Sequence, residues 1–379
     1  MKLVFINDGV YKYASGAPSA TGGAERQQWL LARALAAARW QVAVGVTDEI
    51  AAERRCNIDG VDFIGIGHGY GHVFSAWYRF FVSERPDWCY WRGADYVLGP
   101  AVEIAKLAGV RTIFSTAFDT DVNPVRALSR RSSWWPLYAW GLSRCDKILL
   151  QHSSQLANLP SRYLPKAKIV PSIASVISPT KSHFDRPSYV AWVGTLRQPK
   201  RPDLLVEIAR KAPDLRFVVC GAPSLHRSPV GFGERVIHNL QQLPNINFLG
   251  QVPPEKAQEI ITNAALLLST SDGEGFPNTF LQAWAAGTPV VSIRIDPDRV
   301  IEQLRLGAVC GTMENAIAEM RTLMCTPSGR EEIAVRAREY VAAHHAESSV
   351  MAAFESAVGK LCDANGCAAV CQPSSPPLS

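Results

Sequence analysis

Short apolar segments of strand length alternate with amphipathic helical segments along most of this 379-residue chain. This alternation predicts parallel, doubly wound sheets with helices on both faces. In the first half of the chain the predicted strands and helices lie at 3–6, 23–37, 41–46, 87–91, 98–107, 111–114 and 147–151. In the second half they lie at 189–193, 201–211, 215–220, 246–249, 255–263 and 264–268.

The alternation breaks at residues 175–187, a stretch rich in Ser and Pro that is typical of a linker. The chain is long enough for two domains of roughly 150–200 residues each. We therefore predict an α/β fold with two Rossmann-like, doubly wound domains, residues 1–186 and 187–343, facing each other across a cleft. Ligands of such sheets bind beyond the carboxyl ends of the strands, which places the predicted site in that cleft.

Composition and charge exclude several classes of protein. The formal net charge of +5 suits an enzyme with anionic substrates but does not by itself indicate nucleic acid. No run of about 18 apolar residues predicts a membrane span, and the apolar N-terminus has the length of a strand rather than of a secretory signal. The nine cysteines include no Cys-x-x-Cys pair, which favours reduced thiols in the cytoplasm and no metal site. The tail, 362–379, is predicted to be disordered.

Residues 269–291 form the most informative segment, a Ser/Gly-rich loop between two apolar strands that continues into a helix. Pro277 lies where the helix is predicted to begin and Gly287 where it is predicted to end. The free backbone N–H groups at such a helix end suit a phosphate, and the Glu274 carboxylate can accept hydrogen bonds from sugar hydroxyls. Gln282, four residues after Asn278, lies on the same helix face. Together these features predict a nucleotide-sugar site.

Two further loops carry candidate ligand groups. Residues 194–201 follow the first predicted strand of the second domain and contain Arg197, Lys200 and Arg201, which can neutralise a diphosphate; a solvated basic loop is the alternative. Between the first strand and first helix, Gly22 and Gly23 allow the backbone to approach a ligand closely, unless they form only a tight turn. Neither these glycines nor the Gly-rich run at 65–71 has the Gly-x-Gly-x-x-Gly spacing of a dinucleotide redox site.

The segment at 269–291 resembles the donor-binding signature of the retaining glycosyltransferases of family four, whose fold is called GT-B. That signature has two glutamates separated by seven residues. Glu274 matches the first, and Gln282 stands at the second position with the spacing kept. In the basic loop, Lys200 matches the family's lysine, whereas Thr195 stands where the family has an arginine, so that Arg197 or Arg201 is expected to supply the second charge. The matching segments run in order from Lys2 to about Leu361.

The resemblance implies a site composed of residues from both domains. Glu274 and Lys200 would have the central catalytic roles, Glu274 holding the sugar and Lys200 the leaving diphosphate, while Gln282 would hold the ribose. The other donor contacts implied are Arg197, Gly275, Phe276, Pro277, Asn278, Thr279, Gly22, Gly23 and Gly221. One long helical pattern runs from 331 to 361, and its last part, residues 344–361, is expected to cross back to the first domain as a helix.

One family feature is missing from the first domain. The family often has a histidine near the donor sugar, and residues 114–121 contain none. Asp119 and Glu25 are the candidates for sugar or acceptor contacts. His152 follows a predicted strand at the edge of the cleft, but we interpret this isolated histidine as structural or exposed. Asp119 and Asp121 also form an Asp-x-Asp pair. In a different glycosyltransferase fold, a motif of this type binds a metal ion together with the diphosphate. We expect no metal here, because helix ends and basic side chains stabilise the leaving group in GT-B enzymes.

The resemblance implies transfer of a sugar, with retained anomeric configuration, from a nucleoside diphosphate sugar to a hydroxyl of a saccharide or lipid-linked saccharide acceptor. Cell-surface polysaccharide synthesis is the expected role, with the donor as co-substrate and no cofactor. A nucleotide-sugar epimerase and a non-catalytic nucleotide-sugar-binding protein are the alternatives, and a nucleic-acid-binding protein is not favoured.

Residues 124–144 combine four arginines with three tryptophans and contain no acidic residue. Segments of this composition lie at anionic membrane surfaces, because tryptophan prefers the interface and arginine the head groups. The alternative is an ordinary helix whose tryptophans pack on the first domain. The first interpretation predicts a protein at the inner face of the cytoplasmic membrane.

Overall fold

The computed structural model describes residues 1–17, 22–67, 73–127, 133–177, 182–224 and 228–359. The predicted disorder of the tail, and Arg130 and Arg131 of the basic-aromatic segment, therefore lie outside the described residues. Within them the chain forms two α/β domains, each containing one sheet.

The first domain has an eight-stranded sheet in the order β3-β4-β2-β1-β5-β6-β7-β8, in which only the pair β3–β4 is antiparallel. The strands are β1 (Lys2–Ile6), β2 (Gln41–Val46), β3 (Arg55–Ile58), β4 (Val61–Gly65), β5 (Trp88–Arg92), β6 (Arg111–Ser115), β7 (Lys147–Leu150) and β8 (Ala167–Ile169). The helices are α1 (Asp8–Ala14), α2 (Gly23–Ala37), α3 (Val73–Glu84), α4 (Leu98–Leu107), α5 (Pro124–Ala127), α6 (Trp135–Arg144) and α7 (Ser153–Ala157).

The second domain has a six-stranded parallel sheet in the order β11-β10-β9-β12-β13-β14. The strands are β9 (Val190–Val193), β10 (Phe217–Cys220), β11 (Ile246–Phe248), β12 (Leu266–Ser269), β13 (Val290–Ser292) and β14 (Gly307–Val309). The helices are α8 (Pro202–Lys211), α9 (Phe232–Gln241), α10 (Pro254–Asn263), α11 (Asn278–Ala285), α12 (Val300–Leu304), α13 (Met313–Cys325), α14 (Pro327–His344) and α15 (Glu347–Val358).

The helical pattern near the C-terminus is divided into two helices that belong to different domains. Helix α14 packs on α11 of the second domain, and the chain leaves helical geometry between His345 and Ala346. Helix α15 then packs on the first domain, where Phe354 is fully buried in the core and Trp40 Nε1 donates to Glu355 Oε1 at 3.0 Å. This crossing ties the two domains together behind the cleft.

In both sheets the strand order reverses beside the first strand of the domain, β1 or β9. Crevices at such reversals, beyond the carboxyl ends of the strands, are where ligands of doubly wound folds bind. The loops that follow β6, β7, β9 and β12 meet at this edge, and together they form the candidate site described next.

Candidate active site

The loops after β9 and β12 bring Lys200 and Glu274 together, and their side chains form an ion pair. Two further bonds join these loops, since Thr270 Oγ1 donates to the Lys200 carbonyl at 2.7 Å and Asp272 N donates to the Pro199 carbonyl at 2.9 Å. The Glu274 side chain is 9% exposed and that of Lys200 is 17% exposed. A compact cation–anion pair therefore stands at the edge of the second sheet, facing the first domain.

The other two arginines of the basic loop have different surroundings. Arg201 pairs with Asp203 at 3.0 Å and with Asp272, in the loop after β12, at 3.2 Å, and therefore joins elements of its own domain. The Arg197 guanidinium lies over the ring of Phe118, a first-domain residue, with 5.5 Å to the ring centroid. Of these two, Arg197 is the one that lies against the first domain.

The loop between Glu274 and helix α11 is held closely against the first domain. Phe276 N donates to Gln151 Oε1 at 3.2 Å, and Gln151 directly follows β7. A Cβ at Gly275 would stand 2.6 Å from the Ala117 carbonyl oxygen. Helix α11 begins after Pro277, as predicted, and its first N–H groups are oriented toward the loop.

The first turn of α11 contacts both domains. The Asn278 side chain accepts from Gln27 Nε2 at 2.7 Å and donates to the Gly23 carbonyl at 2.9 Å, so it connects α11 to α2 across the cleft. Thr279 is half-buried beside it. One turn further on, the Gln282 carbonyl accepts from Gln258 Nε2 at 3.2 Å. The sequence indicated a ligand role for Asn278 but contained no signal of this contact between domains.

The Gly-Gly segment leads into helix α2, and both glycines lie against the ends of polar side chains. A Cβ at Gly22, whose φ is +100°, would stand 2.0 Å from the Glu25 carboxylate. One at Gly23 would stand 2.3 Å from Asn278 Nδ2. Burial raises the pKa of Glu25, and the positive charges of Arg92 and Arg197 oppose that rise.

Gly221 lies at the end of β10, where a Cβ would stand 2.0 Å from the Gly194 carbonyl oxygen. Its N–H donates to the Gly250 carbonyl at 2.8 Å. The absence of a side chain at Gly221 therefore allows three strand-end loops to approach one another beside Lys200. This packing requirement is independent of any contact with a ligand.

Asp119 lies beside the loop that contains Glu274, and its backbone N–H donates to the Glu274 carbonyl at 3.1 Å. Its Oδ1 contacts His152 Nε2 at 2.9 Å and accepts from Gln155 Nε2 at 3.0 Å. Asp121 is buried and holds its own turn by accepting from Ala117 N at 2.7 Å and Phe118 N at 2.9 Å. The two carboxylates have separate partners. In the described ranges no three His, Cys, Asp or Glu side chains are grouped to hold a metal ion.

His152 is the polar group that the sequence interpretation underestimated. It is 4% exposed and contacts Asp119 with Nε2 and Asp298, of the second domain, with Nδ1 at 3.2 Å. Burial lowers its pKa, but the hydrogen bonds and charges of the two aspartates outweigh burial and raise the pKa above its ordinary value. The one sequence signal was its position two residues after the end of the buried strand β7, at the ligand-binding edge of the sheet.

Two family models match the chain. A glycosyl transferase 4-like domain matches residues 22–172, and the model described as glycosyl transferases group 1 matches residues 187–326. Among curated proteins, D-inositol 3-phosphate glycosyltransferase of Corynebacterium diphtheriae is 31% identical over 28% of this chain and 26% of its own length. That of Mycobacterium tuberculosis strain H37Ra is 28% identical over 45% of this chain and 38% of its own length. The chain thus aligns with less than half the length of these relatives.

Solved structures share the fold at low sequence identity. Sucrose-phosphate synthase from Thermosynechococcus elongatus superposes with a TM-score of 0.73 and 14% identity over 95% of this chain and 98% of that one. HepE of Anabaena in complex with UDP-glucose superposes with a TM-score of 0.72 and 12% identity over 95% and 100%. The two facing Rossmann-like domains therefore define a GT-B fold, as predicted. With the two matched models, they identify the chain as a member of the group 1 glycosyltransferases.

Proposed function

We propose that the protein transfers a sugar from a nucleoside diphosphate sugar to an acceptor hydroxyl with retention of the anomeric configuration. The observation that carries the proposal is the Lys200–Glu274 pair, which lies beside the N-terminus of α11 at the edge of the second sheet. A cation, a helix N-terminus and a buried carboxylate together complement a diphosphate joined to a sugar.

The chemistry follows from what must be stabilised. As the bond between the anomeric carbon and the diphosphate oxygen breaks, negative charge grows on the leaving group. Lys200, Arg197 and the backbone N–H groups of Gly275, Asn278 and Thr279 stabilise that charge. The acceptor oxygen forms its bond to the anomeric carbon on the same face, and its proton passes to the departing phosphate, so that no separate protein base is needed. Glu274 orients the sugar through its hydroxyls, and Gln282 the ribose.

Donor binding changes the partner of Lys200. In the structure Lys200 is paired with Glu274. We infer that a diphosphate takes over the ammonium group and that sugar hydroxyls become the donors to Glu274. Both side chains are largely shielded from water. This shielding strengthens the new contacts of Lys200 with the diphosphate and of Glu274 with the sugar hydroxyls.

The acceptor side includes a surface suited to lipid. Trp134, Trp135 and Trp140 are 50%, 38% and 42% exposed, whereas Tyr138 is fully buried and donates to the Asp121 carbonyl. We propose that these exposed tryptophans contact an anionic membrane surface and that the acceptor is a lipid-linked saccharide at the inner face of the membrane. Among the described residues no helix has the length and apolar character needed to cross a bilayer.

The membrane contact is tested by flotation with vesicles containing anionic lipid. We expect the wild type to float and the variant Trp134→Ala/Trp135→Ala to remain in the soluble fraction. Phe184→Ala, which removes an aromatic that is 66% exposed in the interdomain linker, is the matched control and should float as the wild type does. Equal binding by the wild type and the double variant would contradict the membrane proposal.

Transfer itself is tested by following the release of nucleoside diphosphate and determining the anomeric configuration of the product by NMR. An α-linked donor should give an α-linked product, and release should depend on acceptor. A changed sugar recovered from donor alone would indicate an epimerase. Binding without turnover would indicate a non-catalytic protein.

A further inference from the structure

The carboxylate of Asp298 caps helix α7 from the opposite domain. It accepts from Ser153 N and Ser154 N, each at 2.8 Å, and from their hydroxyls at 2.7 and 2.6 Å. Asp298 lies between β13 and α12 of the second domain and has a φ of +51°, in the left-handed region that few L-residues adopt. Partial burial alone would raise its pKa, but these four donors hold it well below the usual range.

The same carboxylate also fixes the orientation of His152. Asp298 Oδ1 stands 3.2 Å from His152 Nδ1, so the opposite nitrogen, Nε2, is directed at Asp119 Oδ1, 2.9 Å away. The Phe276 ring packs edge-on against the imidazole, with 6.3 Å between the ring centroids. His152 is therefore held by two carboxylates and one ring, and two of these three groups come from the second domain.

Within the described part of the chain, the hydrogen-bond partners of the Asp119 carboxylate contact one oxygen, Oδ1. Its Oδ1 has both partners, His152 and Gln155, while its side chain remains 58% exposed. Its backbone is bonded to Glu274, the residue assigned above to the donor sugar. The buried side chains of His152 and Gln155 thus hold the Asp119 carboxylate so that its exposed part lies beside the proposed sugar position.

We propose that His152 is a positioning residue that holds the Asp119 carboxylate toward the donor sugar, and that Asp298 holds His152 in this orientation only while the two domains are closed. The proposal rests on the proposed function for the location of the sugar. Opening the cleft would remove Asp298 from α7 and leave the imidazole free to rotate about its side-chain bonds. Closure of the two domains would then also align the Asp119 carboxylate with the donor sugar.

The role of His152 is tested by a double-mutant cycle on kcat/KM, with UDP-glucose as the first donor probe. His152→Ala should lower kcat/KM by about 10- to 100-fold, the loss expected from a misplaced contact group. If His152 acts through Asp119, then His152→Ala/Asp119→Ala should lose no more than about twofold beyond Asp119→Ala alone. His152→Gln, which keeps a donor toward Asp119, should restore part of the loss. Fully additive losses would overturn the role of His152.

The role of Asp298 is tested without activity, by measuring the distance between spin labels on the two domains. Cys56 of the first domain and Cys325 of the second are exposed thiols suited to labelling. Cys310, Cys362, Cys367 and Cys371 are replaced by serine in all samples. In the presence of UDP-glucose, Asp298→Ala should add a population with longer distances that the wild type lacks.

Asp296→Ala is the matched control for this measurement. Asp296 lies in the same loop, but it accepts from Ile301 N at 2.8 Å and Glu302 N at 3.2 Å within its own domain. Its replacement should leave the distances as in the wild type. Identical distances in wild type and Asp298→Ala would overturn the role of Asp298. If the wild type turns over none of the donors tested, the proposed function fails, while the distance measurement still decides whether Asp298 holds the domains closed.

Discussion

Gly275 and Gln151 lie so close together that a Cβ on Gly275 would stand 2.1 Å from Gln151 Oε1. The same oxygen accepts the hydrogen bond from Phe276 N at 3.2 Å. The backbone of the loop after β12 in the second domain is therefore in direct contact with the side chain of Gln151, which follows β7 in the first domain.

Because of this contact, we expect Gly275→Ala to push the loop after β12 away from the first domain. Both nearby groups, Gln151 Oε1 and the Ala117 carbonyl, must move for a methyl group to fit. We expect a loss of kcat/KM on the order of 100-fold, because a displacement of about 1 Å in the site suffices for that. Gly273→Ala, two residues earlier in the same loop, is the control, since a Cβ there has no atom within 4 Å. Comparable losses in both variants would contradict the prediction.

Removal of the Lys200 ammonium should reduce turnover more than binding. Lys200→Ala withdraws a charge that stabilises the leaving diphosphate, and kcat should fall by on the order of 100-fold or more. Lys211→Ala removes a lysine that is 55% exposed and pairs with Glu314 on the surface, so its kcat should remain near that of the wild type. Steady-state kinetics of the two variants checks this role of Lys200. Turnover by Lys200→Ala near that of the wild type would refute it.

Because His345 is buried, we expect acid to destabilise the junction between α14 and α15. It is 2% exposed, and burial lowers its pKa to about 4, although its hydrogen bond to the Ser172 carbonyl opposes the shift. In the unfolded chain the pKa of His345 is about 6.5. Between about pH 4 and about pH 6.5, His345 is therefore protonated in the unfolded state and neutral in the folded state. This contribution to the free energy of unfolding is therefore fully present above about pH 7 and falls as the pH drops toward 4, by about 3 kcal/mol in all.

The acid effect is measured by denaturant unfolding of wild type and His345→Gln between pH 7.5 and 4.5. Glutamine can keep both hydrogen-bond partners, Ser172 and Tyr340, but does not titrate. We expect the variant to lose less stability on acidification than the wild type. Parallel pH profiles would show that His345 does not contribute to the acid sensitivity.

The crossing helix α15 should contribute to the stability of the first domain. Phe354 is fully buried among first-domain residues, and its ring contacts Trp40 with 6.0 Å between the centroids. Phe354→Ala should lower the free energy of unfolding by about 3–5 kcal/mol. Val335→Ala, at an exposed position of α14, should change it by less than about 0.5 kcal/mol. Denaturant midpoints compare the two, and equal midpoints would refute the structural role of α15.

The sequence predicts the parts of this fold that depend on local patterns. The bounds of α2 and α4 match their periodic apolar residues, and the proximity of Lys200 and Glu274 follows because both come after parallel strands of one sheet. The pair β3–β4 was not predicted, since β3 is largely exposed and has no apolar alternation. The single helical pattern at 331–361 concealed the break at His345, which the buried contact with Ser172 stabilises.

Contacts between the domains could not be predicted from local patterns. Asn278 with Gln27, and Asp298 with His152, depend on how two separately folded domains are placed relative to each other. Each partner alone resembles an ordinary polar residue on a loop or helix end. Only the arrangement across the cleft gives these residues their candidate roles.

The most direct test of the central claim is a thermal-shift screen with UDP-, GDP- and ADP-sugars, each with and without magnesium. A ligand at 100 times its Kd stabilises the folded protein by about 2.7 kcal/mol, which is a readily measured shift. We predict stabilisation by one nucleotide class, of equal size without magnesium, and its loss in Glu274→Ala. No shift with any nucleotide sugar, or a shift that requires magnesium, would contradict the proposed donor site.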